Sequence, residues 1–388
     1  MVDHATPVTE LVALDFPAGQ PFVDALRRTW DSGDAAFPID PRLPKTAVDR
    51  LLAEVRPTWL VDPTGAYRLD GGFPAEPGDA LVVATSGTTG EAKGVVLTHH
   101  AVQASAEASS ARLEVDPAVD HWLACLPLAH IGGLSVVTRA LLTGTPCTLL
   151  ERFDADRVES AARDGATLVS LVTTALRRTD STGFRAVLLG GAAPPRGLPA
   201  NVVTTYGMTE TGSGVVYDGR PLDGVEVRIG DGAVGAVGAV GAVGEVLVRG
   251  PMLLRAYRDG TVPLDADGWL PTGDAGRLGE DGTLSVFGRI AEVVVTGGEK
   301  VWPAAVEQVL ALLPGVAEVG VWKRPDPEWG ERVVAWVVPT DPEAPPALDE
   351  LRAAVAAQLS PWAAPKELVL IESLPRTSIG KVRRDQLV

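Results

Sequence analysis

A short apolar run of β-type residues, Ala80 to Thr85 (ALVVAT), empties directly into TSGTTGEAKG, Thr85 to Gly94. Small and hydroxylated residues after a strand let backbone N–H groups and Ser/Thr hydroxyls converge on phosphate oxygens, and Lys93 adds a positive charge. This is not a Walker loop, which needs four residues between its first Gly and a Gly-Lys-Ser/Thr. Standing alone, the string reads equally well as a Gly/Ser/Thr turn between the strand and a helix at Thr98 to Arg112. Further strand-like runs recur at Leu168 to Val172 and Ala186 to Leu189, with helical stretches between them. That alternation predicts α/β layering with parallel pairing in part of the fold.

The flanking regions differ in texture. Before residue 80, helical patterning such as Phe22 to Trp30 mixes with Pro-rich loops, and Arg68 to Gly78 reads as a polar linker. From Val225 the chain becomes hairpin-like, with VEVRI, EVLVRG and TLSVFGR separated by Gly and Asp turns. An AVG unit repeated four times from Ala233 to Gly244 falls between two of these strands. Solenoids need units of ~20 residues or more, so the tract reads as an expanded hairpin turn. Beyond Gly288 a helix at Pro303 to Leu313, the strands EVGVWKR and RVVAWVVP, and a helix at Leu348 to Leu359 make a compact α+β domain. The expectation is an α/β protein. Residues 1–288 form a large layered N-terminal domain with mixed sheets and a hairpin-rich β subdomain, and residues 289–388 form a small mobile α+β domain.

Bulk properties narrow the partners. At 388 residues, two or more domains are expected. A formal charge of -16 argues against binding a nucleic-acid backbone, though not against a nucleotide pocket. No apolar run approaches the ~20 residues that span a bilayer. The amino terminus, MVDHATPVTE, lacks the basic and apolar regions of a signal peptide, so a cytoplasmic location is expected. Cys125 and Cys147 are too few for a disulfide framework and read as buried small hydrophobes. A homo-oligomer is compatible with the sequence.

TSGTTGEAKG is followed in order by LPLAHIGGLS (Leu126 to Ser135), YGMTETG (Tyr206 to Gly212), PTGDAGRL (Pro271 to Leu278), GRIAEVVVTGGEKVWPAAVE (Gly288 to Glu307) and PRTSIGK (Pro375 to Lys381). Through these strings the sequence resembles, along nearly its whole length, the superfamily of acyl-CoA synthetases, peptide-synthetase adenylation domains and luciferases. The resemblance implies ATP, Mg2+ and coenzyme A, and assigns roles to matching residues. Thr85, Ser86, Gly87, Thr88, Thr89, Gly90 and Lys93 would cradle phosphates. Gly190, Gly191 and Ala192 would flank the adenine, with Tyr206 and Gly207 against it, while Thr209 and Glu210 would meet phosphate and magnesium. A hard carboxylate such as Glu210 suits Mg2+. Asp274 and Arg289 would hold the ribose, Gly298 and Lys300 would lie near the pantetheine, and Lys381 would offset charge as the acid attacks the α-phosphate.

Departures from the family are Ala92 for the usual Pro, Ala291 at the hinge, and a shortened region before the phosphate loop. With only seven residues after Lys381 and no carrier attachment segment among them, free coenzyme A is the expected acceptor. The short length and the stretches PLAHIGGLSVVTRALLTG, SLVTTALRR and YGMTETGSGVVYDGRPLDGVEVRI resemble the o-succinylbenzoate:CoA ligases of menaquinone biosynthesis. That acid has two carboxylates, and His130, Ser135, Arg139, Thr211 and Gly212 are the candidates to line its pocket, with Arg139 for the second carboxylate. A ligase for another aromatic or short acid, or a non-catalytic nucleotide-binding homologue, stays open at this point.

Overall fold

The computed structural model describes residues 8–86, 92–195, 197–230, 243–376 and 382–387. They gather into two compact units. One comprises Met1–Gly191, Pro199–Val227 and Val248–Leu270, the other Ala192–Leu198, Arg228–Leu247 and Pro271–Val388.

Two seven-stranded sheets build the first unit. In one, Leu11–Leu14 is flanked in parallel by Ala35–Pro38 and Trp59–Asp62. LVAL and AAFP are buried at every position, as continuous apolar runs in parallel strands should be. The helix Gln20–Asp31 buries Phe22 and Leu26, four residues apart on one face. Its Trp30 indole N–H is satisfied by the Ala80 carbonyl at 2.9 Å.

The strand Asp79–Ser86 joins this sheet and pairs antiparallel with Ala92–Thr98. The helix begins where the sequence places it, but the described ends of the phosphate-loop string, Thr85–Ser86 and Ala92–Gly94, are paired strands, so a strand that the sequence did not show stands between the string and the helix. GVVLT is apolar and β-branched enough to continue as a strand, so the helix His99–Arg112 starts only at Thr98, whose side chain caps Ala101 N–H at 3.1 Å. No helix N-terminus follows the loop directly.

In the second sheet Cys147–Leu149, Trp122–Ala124, Leu168–Val172, Ala186–Gly190 and Val202–Met208 run parallel, the pairing expected from the alternating pattern. Ser213–Tyr217 then turns back antiparallel. The helices His99–Arg112 and Ile131–Thr143 meet through small residues, with Ala101, Ser105, Ala108 and Ser109 buried on the first. The second is buried continuously from Gly133 to Ala140. Gly133 is required there, because a Cβ would stand 2.4 Å from Pro127 O. Cys125 is buried as expected and Cys147 is half-buried; burial pushes both thiols up to about 12.

The second unit carries most of a four-stranded sheet ordered Glu226–Gly230, Gly244–Arg249, Leu270–Leu278, Leu284–Arg289. The AVG tract up to residue 242 lies outside the described residues. A second sheet centres on the long hairpin Val316–Asp326 and Gly330–Pro339, with Val294–Thr296, Glu299–Val301 and Glu367–Leu370 added. The helices Pro303–Leu310 and Leu348–Gln358 contribute Val306, Val309, Leu310, Leu351 and Val355 to its core. The first of these ends three residues before the predicted Leu313. Among the described residues no helix is long and apolar enough to cross a membrane.

Candidate active site

In the first unit, two adjacent parallel strands end in glycine-dependent turns. At the end of Ala186–Gly190, a Cβ on Gly190 would meet Thr205 Oγ1 at 2.7 Å, and Gly191 takes φ +85. The neighbouring strand carries the half-buried Tyr206 opposite Val216 and slips register at Gly207. There a Cβ would lie 2.1 Å from Ser213 O, so only glycine allows the two strands to approach. Thr209–Thr211 follows as one 3-10 turn. The buried Thr211 hydroxyl accepts from Met208 N–H at 2.9 Å and donates to Ser213 O at 2.7 Å, so it shapes the turn from within. Gly212 closes the turn at φ +68.

The half-buried Glu210 accepts a hydrogen bond at Oε1 from Tyr257 Oη, 3.0 Å away. On the hairpin stem Thr85 faces Lys93, and its hydroxyl donates to Lys93 O at 3.3 Å. The exposed Lys93 ammonium sits 4.9 Å from the Tyr257 ring centroid. Thus Lys93 and Glu210 are brought together through a residue that the sequence did not single out. Ser86 and Ala92 pair as backbone. Gly87, Thr88, Thr89 and Gly90 lie outside the described residues, as does Lys381.

The helix Ile131–Thr143 starts at the half-buried His130, and Asp40 lies in its field. Burial opposes ionisation of Asp40, but Arg42, bonded at 2.8 and 2.6 Å, and the charge of His130 hold it below its ordinary value. One turn apart on the helix stand the buried Ser135 and Arg139, which is 2% exposed. Arg139 Nη2 donates to Ser109 Oγ at 3.3 Å, and its guanidinium stacks 4.9 Å from the Trp122 ring. Among the described residues Nε and Nη1 have no acceptor, and no carboxylate pairs with the group. Burial depresses its pKa. Beside it Ser109 meets Tyr217 Oη at 3.1 Å, and Ser105 meets Ser213 at 2.8 Å, giving the contact of the helix His99–Arg112 with the strand Ser213–Tyr217 a polar seam.

In the second unit, Asp274 and Arg289 face each other across paired strands, joined at 3.1 Å. Asp274 is buried, and its N–H is held by Thr272 Oγ1 at 3.1 Å, while Arg289 Nη1 donates to Thr272 O at 2.7 Å. Ala192 also belongs to this unit and is exposed. Gly298 (φ +84) and the exposed Lys300 lie on a separate hairpin, Val294–Thr296 with Glu299–Val301. Ala291 is exposed in the 3-10 turn Ile290–Glu292. Arg384 ties the end of the chain to that turn and to the helix Pro303–Leu310, at 2.5 Å from Glu292 and 2.7 Å from Glu307. Burial disfavours its charge, but the two carboxylates outweigh this and raise its pKa.

Among the described residues no three His, Cys, Asp or Glu side chains cluster as a metal cage. A single carboxylate at Glu210 fits Mg2+, which takes one or two carboxylates and completes its shell with phosphates and water.

The AMP-binding enzyme family matches residues 73–258, and the AMP-binding enzyme C-terminal domain matches residues 305–381. A probable 2-succinylbenzoate–CoA ligase of Mycobacterium tuberculosis is 38% identical over 373 residues, 88% of this chain and 93% of the relative. The fold superposes on o-succinylbenzoate CoA synthetase (MenE) from Bacillus subtilis in complex with the acyl-adenylate intermediate OSB-AMP. The TM-score is 0.85 and the identity 28%, over 97% of this chain and 88% of that one. The same enzyme in complex with ATP and magnesium ion gives 0.84 and 27%, over 97% and 89%.

Proposed function

From the premise that the chain belongs to the AMP-binding enzyme family, we propose that it is an acid–thiol ligase using ATP and Mg2+ to adenylate o-succinylbenzoate and coenzyme A to take up the acyl group. The observation that carries the substrate is the likeness to 2-succinylbenzoate–CoA ligases over nearly the full length of both chains. Arg139 gives it a chemical reason. A buried guanidinium whose Nε and Nη1 have no acceptor, and which meets no carboxylate among the described residues, is costly alone, and a substrate carboxylate would supply the missing charge and acceptors. Ser135, one turn before it, and His130 lie on the same helix and its cap.

In the first half-reaction a carboxylate oxygen attacks the α-phosphorus, and the bond to the pyrophosphate oxygen breaks. Two anions must meet, so the work of the protein is to position them and neutralise charge. The hairpin stem at Thr85 and Lys93, continued by residues 86–90, takes the phosphates, and Glu210 with Thr209 holds the metal that screens the leaving group. Tyr206, against the glycine-walled turns at Gly190 and Gly207, takes the adenine, and the buried Asp274, oriented by Arg289, accepts from the ribose hydroxyls. Lys381 supplies the cation at the reacting carboxylate. In the second half-reaction the coenzyme A sulfur attacks the acyl carbonyl and AMP leaves, with Gly298 and Lys300 flanking the pantetheine. Residues 289–388 act as the lid. We place the reaction in the cytoplasm.

Acid-dependent pyrophosphate release across a panel of aromatic and short acids, with mass detection of the coenzyme A ester, tests this reading. Lys381→Ala should abolish pyrophosphate release while ATP still binds. No ester from o-succinylbenzoate would overturn the substrate, and near wild-type release by Lys381→Ala would overturn the role of that lysine.

A further inference from the structure

Residues 254–258 form a short strap outside every motif recognised in the sequence. Its backbone joins two parts of the candidate site. Leu254 N–H donates to Glu210 O at 2.8 Å, while Arg255 N–H reaches Val96 O at 2.9 Å and Arg258 N–H reaches Gly94 O at 2.7 Å, on the strand that follows the phosphate loop. Two arginines fasten the strap. Arg255 grips Asp79 bidentately at 2.8 and 2.9 Å. Arg258 gives its guanidinium to backbone carbonyls, Val55 O at 3.0 Å, Pro74 O at 2.8 Å and Phe73 O. Between them stands Tyr257, with its hydroxyl on Glu210 and its ring under Lys93.

We propose that Tyr257 is a positioning residue of the adenylation site, acting through Glu210 and Lys93; this rests on reading Glu210 as the magnesium ligand and Lys93 as a phosphate contact. A phenol that donates to one carboxylate oxygen fixes the carboxylate plane, adds no charge, and leaves the other oxygen to a cation. The face of the same ring is electron-rich and offers the Lys93 ammonium a resting place. Contacts of that kind at exposed positions are weak, so phosphate oxygens displace the ring. One side chain therefore presets both the anion and the cation that meet the triphosphate.

Tyr257→Phe keeps the ring and removes the donor, whereas Tyr257→Leu removes both. Binding of Mn2+ in the presence of ATP, followed by electron paramagnetic resonance, is read beside the Mg2+ dependence of pyrophosphate release. Tyr257→Phe should raise the half-saturating metal concentration by about tenfold, the usual effect of losing a hydrogen bond to a ligating group. The KM for the acid should not change, and the melting temperature without ligand serves as the control for folding. Tyr257→Leu should in addition raise the KM for ATP. Because Tyr257 acts through Glu210, adding Tyr257→Phe to Glu210→Gln should shift metal dependence no further than Glu210→Gln alone. If Glu210→Gln shifts metal dependence and Tyr257→Phe does not, or if the two add, the proposal fails alone. Should Glu210→Gln leave metal dependence unchanged, the reading of Glu210 fails and the proposal with it.

Discussion

Arg139→Met separates recognition of a second carboxylate from simple packing. Methionine keeps most of the stem volume against Trp122 while removing the charge and its N–H groups. Among the described residues the Arg139 guanidinium makes one hydrogen bond, to Ser109, and its buried Nε and Nη1 have no acceptor. Removing a desolvated cation without an anionic partner should therefore cost the free enzyme little, and its melting temperature should hold or rise. The acid complex behaves in the opposite way. A carboxylate held by the guanidinium would lose charge-assisted hydrogen bonds worth about 2–4 kcal/mol together. At ~1.4 kcal/mol per tenfold, kcat/KM for o-succinylbenzoate should fall roughly 30- to 700-fold. A monocarboxylate analogue that reaches the same adenylate chemistry should change less than about threefold, because the group it lacks is the one Arg139 would hold. Steady-state pyrophosphate release with both acids, beside melting curves, measures all three quantities. Equal losses for the two acids, accompanied by a lower melting temperature, would mean that Arg139 serves only the seam between its helix and Ser109, and would refute the reasoning.

Gly207→Ala should push the strands of Tyr206 and Ser213 apart, costing about 1–3 kcal/mol by overpacking and weakening ATP binding through Tyr206 and Glu210; a variant with native melting temperature and native KM for ATP would contradict this. A pH dependence follows from Asp120. Burial opposes its ionisation, but Arg185 at 2.9 and 2.7 Å, Thr167 at 2.7 Å and Asp116 N–H at 3.0 Å outweigh it and hold the carboxyl below its ordinary value. A depressed carboxyl stabilises the fold above its unfolded pKa of ~3.9 and loses that contribution as pH falls through the lower folded value. Asp120→Asn should accordingly melt lower than the native chain at pH 7, with the gap narrowing below about pH 4; a gap constant from pH 7 to pH 3 would refute the linkage.

What the sequence discloses depends on how local the cause is. Leu168–Val172 and Ala186–Gly190 were legible because fully buried parallel strands are written as unbroken apolar runs. The Leu270–Leu278 strand, LPTGDAGRL, was not seen as a strand. Its polar, glycine-containing string carries no alternation, and it is extended because strands pair on both sides of it. The Ala92–Thr98 strand was hidden by the Gly and Lys at its start, which read as a continuation of the loop. Glu210, Asp274 and Arg289 are candidates that their strings alone supply, since each sits in a run of recognisable residues. Tyr257 is not such a candidate. Its strand has two residues, and its partner Glu210 is 47 residues away in sequence. Thr211 is a pocket candidate from its string alone, and no local pattern announces that its hydroxyl bonds to Met208 N–H and Ser213 O within the turn.

The fastening of the strap also bears on how the chain is made. Val55 O waits for a donor on Arg258, 203 residues later, and the Asp79 carboxylate for one on Arg255, 176 residues later. A ribosome adding ~5–20 residues per second leaves the first sheet without this edge strand and its guanidinium seal for about ten to forty seconds. During that interval the hairpin carrying the phosphate-loop string presents an open edge, the kind of surface that recruits other nascent strands. Aggregation during biosynthesis should therefore be most sensitive to a distant pair of arginines that contribute nothing to the emerging segment's own composition.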